Sequence, residues 1–123
     1  MKKAIIILMI LVSGLSTVSA SSWYTLTSLS AKAPGYSWGE WQTCNVQTSF
    51  NYDIKRITIY SNTVQIFDYT NLVKVQYSRY MTLSGYVSDR HYTSAYMIIT
   101  LYDDGRVFLH FQYSNGEYMY ALQ

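Results

Sequence analysis

Apolar and polar residues alternate in short runs from about Thr43 to the end of the chain, and turn-forming residues separate these runs. The turn positions are Asp53, Asn62, Asn71, Gly105 and Gly116. No long stretch has the periodicity of a helix, whereas short strands at regular spacing are typical of antiparallel sandwiches and barrels. We therefore predict an all-β fold of about seven to eight strands, a small antiparallel meander that forms either a barrel or a β-sandwich.

The alternation places the predicted strands between these turns. They are expected at 43–50, 55–60, 63–69, 72–78, 80–87, 95–102, 106–113 and 117–122. The fifth strand is interrupted by Gly85. If Ser61-Asn62 is a two-residue loop, Ile57 pairs with Ile66, and Phe67 lies with Tyr60 and Tyr69 on the face away from the core.

Asp104-Gly105 and Asn115-Gly116 are sequences that favour type I′ hairpin loops. With two-residue loops they pair Tyr102 with Val107 and Tyr113 with Tyr118, which predicts a three-stranded meander from 95 to 122. The other face of this meander would be unusually apolar, with Met97, Ile99, Leu101, Phe108, His110, Gln112, Met119 and Ala121. Such a face needs a cover, since large exposed apolar patches are rare on monomers. The candidates are the rest of a closed barrel, the preceding segment, a partner or a ligand.

The first part of the chain has the pattern of an export signal. Lys2 and Lys3 precede the apolar run Ala4 to Val12, and small residues follow up to Ala20. This pattern predicts a signal peptide at 1–20 and a secreted or periplasmic protein without a membrane span after cleavage. Residues 21–37, with seven Ser or Thr, are predicted to be a leader without strands, and 38–123 a single β domain. Trp38 and Trp41 are expected to dock onto that domain.

Charge and composition narrow the possible partners. The whole chain has 9 Lys and Arg against 7 Asp and Glu. Cleavage of the predicted signal peptide would remove Lys2 and Lys3. The mature chain would then be neutral, without the basic stripe that nucleic-acid binding needs. Half of the chain is apolar and 14 residues are Tyr, a residue enriched at recognition surfaces.

Four stretches of the chain form a recognisable set: Trp38-Gly39-Glu40-Trp41, Ile57-Thr58-Ile59-Tyr60-Ser61, Gln65-Ile66-Phe67-Asp68 and Glu117-Tyr118-Met119-Tyr120. In them the chain resembles a group of small secreted bacterial proteins of unassigned function. The resemblance implies a compact all-β domain behind a signal peptide, with tryptophans just before the first strand. The long acidic loop of that group is replaced here by Tyr80 to His91. No catalytic or binding residue follows from the resemblance.

The residues with reactive side chains do not form a recognisable catalytic set. Cys44 is expected to be a buried free thiol, or else a thiol in an intermolecular disulfide or a nucleophile. A thiol enzyme would need a histidine within reach, for which His110 is the candidate. His91 lies in a polar loop, and the two histidines lack the spacing of a zinc site. No cofactor or metal is predicted.

These observations favour a non-enzymatic binding domain that uses aromatic and apolar sheet residues. Its ligand would be a glycan, a lipid-like molecule or a protein. The predicted contact residues are Phe108, His110, Met97, Met119, Tyr60 and Phe67. The alternatives are an inhibitory or assembly module that uses the same face, and a thiol or hydrolytic enzyme around Cys44 and His110.

Overall fold

The computed structural model describes residues 21–123, so the predicted signal peptide at 1–20 lies outside the described residues. The described residues form nine β-strands. They are β1 (Ser21–Lys32), β2 (Gln42–Asn51), β3 (Arg56–Ile59), β4 (Gln65–Tyr69), β5 (Val73–Gln76), β6 (Tyr80–Asp89), β7 (Ser94–Tyr102), β8 (Val107–Tyr113) and β9 (Gly116–Leu122). None of these residues belongs to a helix of the length and hydropathy that a membrane crossing requires.

Eight of the strands close into an antiparallel barrel. Strands that follow each other along the chain pair, except β4 and β5; β1 pairs with β9, and β4 pairs with β6 to complete the barrel. The all-β fold and the barrel alternative predicted from the turn spacing are therefore confirmed. Closure pairs the edges of the barrel strands, which could otherwise associate with another chain, whereas β5 pairs only with β6 and keeps one free edge.

The predicted leader is wrong over its first part, because Ser21–Lys32 is strand β1 of the barrel. Tyr24 and Leu26 point inward and are buried, as the alternation of a strand requires. The register then shifts between Leu26 and Ser28, so the inward positions change parity. Leu29 pairs with Tyr120 and packs against the core, whereas Ser30 is buried on the other face, next to Gly39 of the following loop. This bulge hides the strand from a search for strict alternation.

The predicted register of the β3–β4 hairpin is wrong by one residue. Ile57 pairs with Phe67 rather than Ile66, and Ile59 pairs with Gln65. The connection is longer than the predicted Ser61-Asn62 loop, and the Ser61 hydroxyl stabilises it by donating to the carbonyl of Thr63 at 2.6 Å. Since a slip of one residue exchanges the two faces of a strand, Phe67 and Tyr69 lie in the core.

The hairpin around Asp104-Gly105 is also shifted by one residue. Leu101, not Tyr102, pairs with Val107, and Gly105 takes a positive φ of 95° at the end of a longer loop. This is the three-residue hairpin with a glycine in the left-handed region. The predicted faces of β7 are therefore exchanged, and Met97 lies inside the barrel, fully buried.

In the last hairpin the predicted partners are shifted by two residues and the predicted face is right. Tyr113 pairs with Gly116, and Phe111 pairs with Tyr118, so Ser114 and Asn115 form the loop. An even shift leaves every side chain on its predicted side of the sheet.

β5 is the additional strand outside the barrel. It pairs with the first half of β6, and β4 pairs with the second half. Between them the chain passes close to β6 at Gly85, where an added Cβ would lie 2.3 Å from the carbonyl oxygen of Asn71. The glycine that seemed to interrupt this strand allows that crossing.

Candidate functional site: a tyrosine-lined cup at the barrel mouth

A cavity of about 440 Å³ opens at one end of the barrel. At this end, which we call the mouth, the chain turns between β3 and β4, between β6 and β7, and between β8 and β9. We call the cavity the cup. The described residues that line it are Gln65, Phe67, Asp89, Thr93, Phe111, Tyr113, Ser114, Asn115, Tyr118 and Tyr120.

Two phenylalanines close the bottom of the cup. Phe67 on β4 and Phe111 on β8 stack with their ring centroids 4.1 Å apart, and both are buried. Tyr120 meets the ring of Phe111 edge-on at 5.7 Å. Below these rings the barrel is filled by apolar side chains such as Met97, Ile99 and Leu109. The interior of an eight-stranded barrel is usually just wide enough for side chains to fill it, and here packed side chains fill one part and an open cavity lies at the mouth.

The Asp89 carboxylate is held at the rim by three donors. Its Oδ1 accepts from the backbone N–H groups of His91 and Thr93, both at 2.9 Å. Its Oδ2 accepts from the hydroxyl of Tyr113 at 3.1 Å. Partial burial acts to raise the pKa of Asp89, but the hydrogen bonds from Thr93, His91 and Tyr113 outweigh it, so the pKa lies below the usual value for a carboxyl. Asp89 is therefore an anion at neutral pH.

Two tyrosine hydroxyls of the cup donate hydrogen bonds to other cup residues. Tyr113 donates to Asp89, and Tyr120 donates to Oε1 of Gln65 at 3.1 Å. Burial raises the pKa of Tyr120 to about 12, and burial together with the neighbouring Asp89 raises that of Tyr113. Both hydroxyls therefore remain protonated, and each has acceptor lone pairs left after its proton is used.

Three of the predicted contact residues share the outer face of the barrel. They are Phe108, His110 and Met119, and Met119 pairs with His110 across the β8–β9 ladder. The loop between β1 and β2 places Trp38 against His110 at 5.5 Å and Trp41 against Phe108 at 6.3 Å. The docking of these tryptophans is confirmed, and part of the apolar outer face is thereby covered from within the chain.

We call Trp38, Trp41, Phe108, His110 and Met119 the outer cluster, and polar contacts fix it in place. His110 Nε2 lies 2.7 Å from Oε1 of Glu117, and Lys32 Nζ lies 3.6 Å from the other carboxylate oxygen. The hydrogen bond with His110 is the main reason that the pKa of Glu117 is lowered. The loop itself is tied back to β1, because the Ser30 hydroxyl donates to the carbonyl of Gly39 at 2.8 Å.

The other three predicted contact residues lie elsewhere. Met97 is enclosed in the barrel interior. Phe67 is part of the cup floor, so it reaches the cavity from inside the barrel and not from a sheet surface. Tyr60 is exposed and stacks on Trp23 at 5.6 Å, apart from both groups. The six residues therefore do not form one site.

Cys44 and His110 are not brought together. Cys44 is a free thiol that packs against the core, and its Sγ lies 3.6 Å from the carbonyl oxygen of Leu26. Burial raises its pKa, which disfavours the nucleophilic thiolate. His110 contacts Glu117 and Trp38 on the outside. Within the part of the chain that the structure describes, no group of three or more His, Cys, Asp or Glu could hold a metal ion.

The sequence contained a partial signal for the cup. Tyr113, Tyr118 and Tyr120 are predicted to share a face with Phe111, and that prediction is confirmed. The sequence pattern does not show that the last residues on this face lie beyond the packed core. Asp89 and Gln65 are missed altogether, since each reaches the cup through long-range contacts.

Comparison with known proteins identifies no relative: no family model, curated protein or solved structure matches the chain. The resemblance to small secreted bacterial proteins stays an expectation. The proposed function therefore rests on the geometry of the cup and its lining residues.

Proposed function

We propose that the protein is a non-enzymatic binding domain that holds one small, partly apolar molecule in the cup. The observation that carries this proposal is the separation of the barrel interior at the Phe67–Phe111 stack into a packed core and an open cavity. Ligand pockets usually combine aromatic or apolar walls with convergent polar groups. The cup has an aromatic floor and polar residues at its rim, and its volume is in the usual range for a ligand pocket.

The predicted signal peptide and the resemblance support the proposal that this function is carried out outside the cytoplasm, by a secreted or periplasmic protein. Of the ligand classes considered, a compact molecule with an apolar ring or chain suits the cup better than a polymer, because the cup is a cavity at the barrel end. The alternative is a module that binds another protein through the outer face. It is supported by Trp38 and Trp41 of the outer cluster, which are 39% and 47% exposed, respectively.

A matched pair of variants tests the cup against the rest of the surface. Thr93 lines the cup, and Thr70 is exposed beyond the opposite end of β4. With the neutral fluorescent probe N-phenyl-1-naphthylamine, we expect saturable binding that Thr93→Phe weakens about tenfold by filling the mouth. Thr70→Phe should leave it unchanged. Equal effects of the two variants, or no saturable binding, would contradict the proposal.

A further inference from the structure

The cup is lined mainly by aromatic and uncharged polar residues, and its one charged residue gives it a distinct charge. Asp89 is its one carboxylate, and none of the described lining residues is Lys, Arg or His. Arg90 follows Asp89 in the chain, but its guanidinium donates to the carbonyl of Val64 at 2.8 Å. The nearby ammonium of Lys32 is paired with Glu117. Arg90 keeps its positive charge beside Val64, but among the lining residues of the cup the net charge is negative, although the predicted mature chain is neutral.

Three side-chain donors of the cup are already used within the protein, and acceptors remain. Tyr113 and Tyr120 donate to Asp89 and Gln65, and the amide of Gln65 donates to the hydroxyl of Ser61 at 3.5 Å. An ionised carboxylate has about four acceptor positions, of which Asp89 uses three. The fourth is available to a donor from a ligand.

The walls of the cup are aromatic rings with electron-rich faces. Phe67 and Phe111 form the floor, and Tyr113, Tyr118 and Tyr120 surround it. Tyr118 meets Tyr113 edge-on at 5.9 Å and is 40% exposed, so it lies at the entrance. Ring faces attract cations, most strongly where water is partly excluded.

From these three observations we infer that the ligand of the cup is an organic cation: a protonated or quaternary amine on an aromatic or aliphatic body. This inference rests on the proposed function and names its ligand class. The cationic nitrogen would lie between Asp89 and the rings of Tyr113 and Tyr118, and the apolar body would contact the Phe67–Phe111 floor.

Three probes of one size and different charge test the inference at neutral pH. They are phenethylamine, a cation; 2-phenylethanol, which is neutral; and phenylacetate, an anion. Calorimetric titration should give phenethylamine an affinity at least about tenfold above that of 2-phenylethanol, with phenylacetate weakest. Added salt should weaken only the binding of the cation, since the carboxylate is near solvent.

Two charge-removing variants separate Asp89 from a general effect of charge. Asp89→Asn keeps an oxygen for the N–H groups of His91 and Thr93 and should bring phenethylamine within about threefold of 2-phenylethanol. Asp104→Asn is the matched control, because Asp104 makes the same kind of turn bond, to the N–H of Arg106 at 3.0 Å, at the other end of the barrel. It should preserve the selectivity. The melting temperature of each variant shows whether it is folded.

Tyr118→Leu tests the ring separately from the charge. Leucine keeps an apolar side chain at the entrance but lacks the ring face, so phenethylamine should lose more affinity than 2-phenylethanol does.

The outcomes distinguish the inference from the proposed function. Equal affinity for the three probes, or a preference for phenylacetate, would overturn the cation inference and leave the cup as a binding site. Selectivity for phenethylamine that survives in Asp89→Asn would also overturn it. Failure of all three probes to bind would overturn the inference together with the proposed function.

Discussion

Phe67 and Phe111 stack across the inside of the barrel, with ring centroids 4.1 Å apart, although they belong to strands that are not neighbours in the sheet. On one side of this stack the interior is filled with apolar side chains. On the other side the inward positions carry hydroxyl, amide and carboxylate groups, including Gln65 and Tyr113. The stack is therefore both part of the core and the floor of the cup.

Removal of one ring of the stack should destabilise the whole barrel. For Phe111→Ala we expect the free energy of unfolding to fall by about 3–5 kcal/mol, since a large buried side chain leaves a cavity. Tyr36→Ala, which removes an exposed ring, should change it by about 0.5 kcal/mol or less. Urea denaturation followed by circular dichroism measures both. Similar values for the two variants would contradict the packing described for the floor.

The tryptophan cover of the outer face should contribute measurably to stability. We expect Trp38→Ala to lower the free energy of unfolding by about 1–2 kcal/mol, less than for a fully buried ring, because the side chain is only partly buried against His110. Ser30→Ala should have an effect in the same direction, since it removes the hydrogen bond to Gly39 that holds the loop. If thermal unfolding of both variants matches that of the wild type, the loop does not cover this face in solution.

Alkaline pH should unfold the protein. Burial raises the pKa of Tyr24, Tyr69, Tyr113 and Tyr120 in the folded state, whereas a tyrosine in the unfolded chain titrates near about 10. Above that pH the unfolded state loses protons that the folded state retains. The free energy of unfolding should then fall by about 1.4 kcal/mol per pH unit for each such tyrosine.

Denaturation at a series of pH values from about 9 to 12 measures this slope. Tyr120→Phe should make it shallower, because one group that titrates only on unfolding is removed. A stability that does not change over this range would show that the tyrosines are not buried as described.

Gly85 should be intolerant of any side chain. An added Cβ would lie 2.3 Å from the backbone oxygen of Asn71, so the crossing between β4 and β5 would have to move. We expect Gly85→Ala to cost about 1–3 kcal/mol, as overpacking does. Ser84→Ala, next to it on β6, should cost less. The amide resonances of Asn71 and Leu72 should shift in Gly85→Ala, and unchanged shifts would contradict the close approach.

The fold class follows from the sequence because turn residues and alternation are local. Asp104-Gly105 and Ser61-Asn62 mark real turns, and a strand lies on each side of both. The local sequence does not determine the exact length of each loop. One extra residue in a loop exchanges the two faces of the paired strand, and for this reason Phe67 and Met97 lie inside the barrel. The sequence pattern does not predict β1, because the alternation of its residues changes at a bulge.

The site was harder to predict than the fold. The sequence predicts a ligand face on the outside of the sheet, at Phe108 and His110, because that face is too apolar for solvent. The chain itself covers part of that face with Trp38 and Trp41. The cup depends on which inward residues lie beyond the last packed layer. The closure of the barrel determines which residues these are, and no pattern along the sequence identifies them.

The most direct test of the account is to map where phenethylamine binds, by amide chemical-shift changes in the isotope-labelled protein. We predict shifts concentrated at the rim of the cup, at Asp89, Thr93, Asn115 and Tyr118. The outer residues Phe108 and Met119 should not respond. Shifts centred on the outer cluster, or none at saturating probe, would contradict the claim that the barrel mouth is the ligand site.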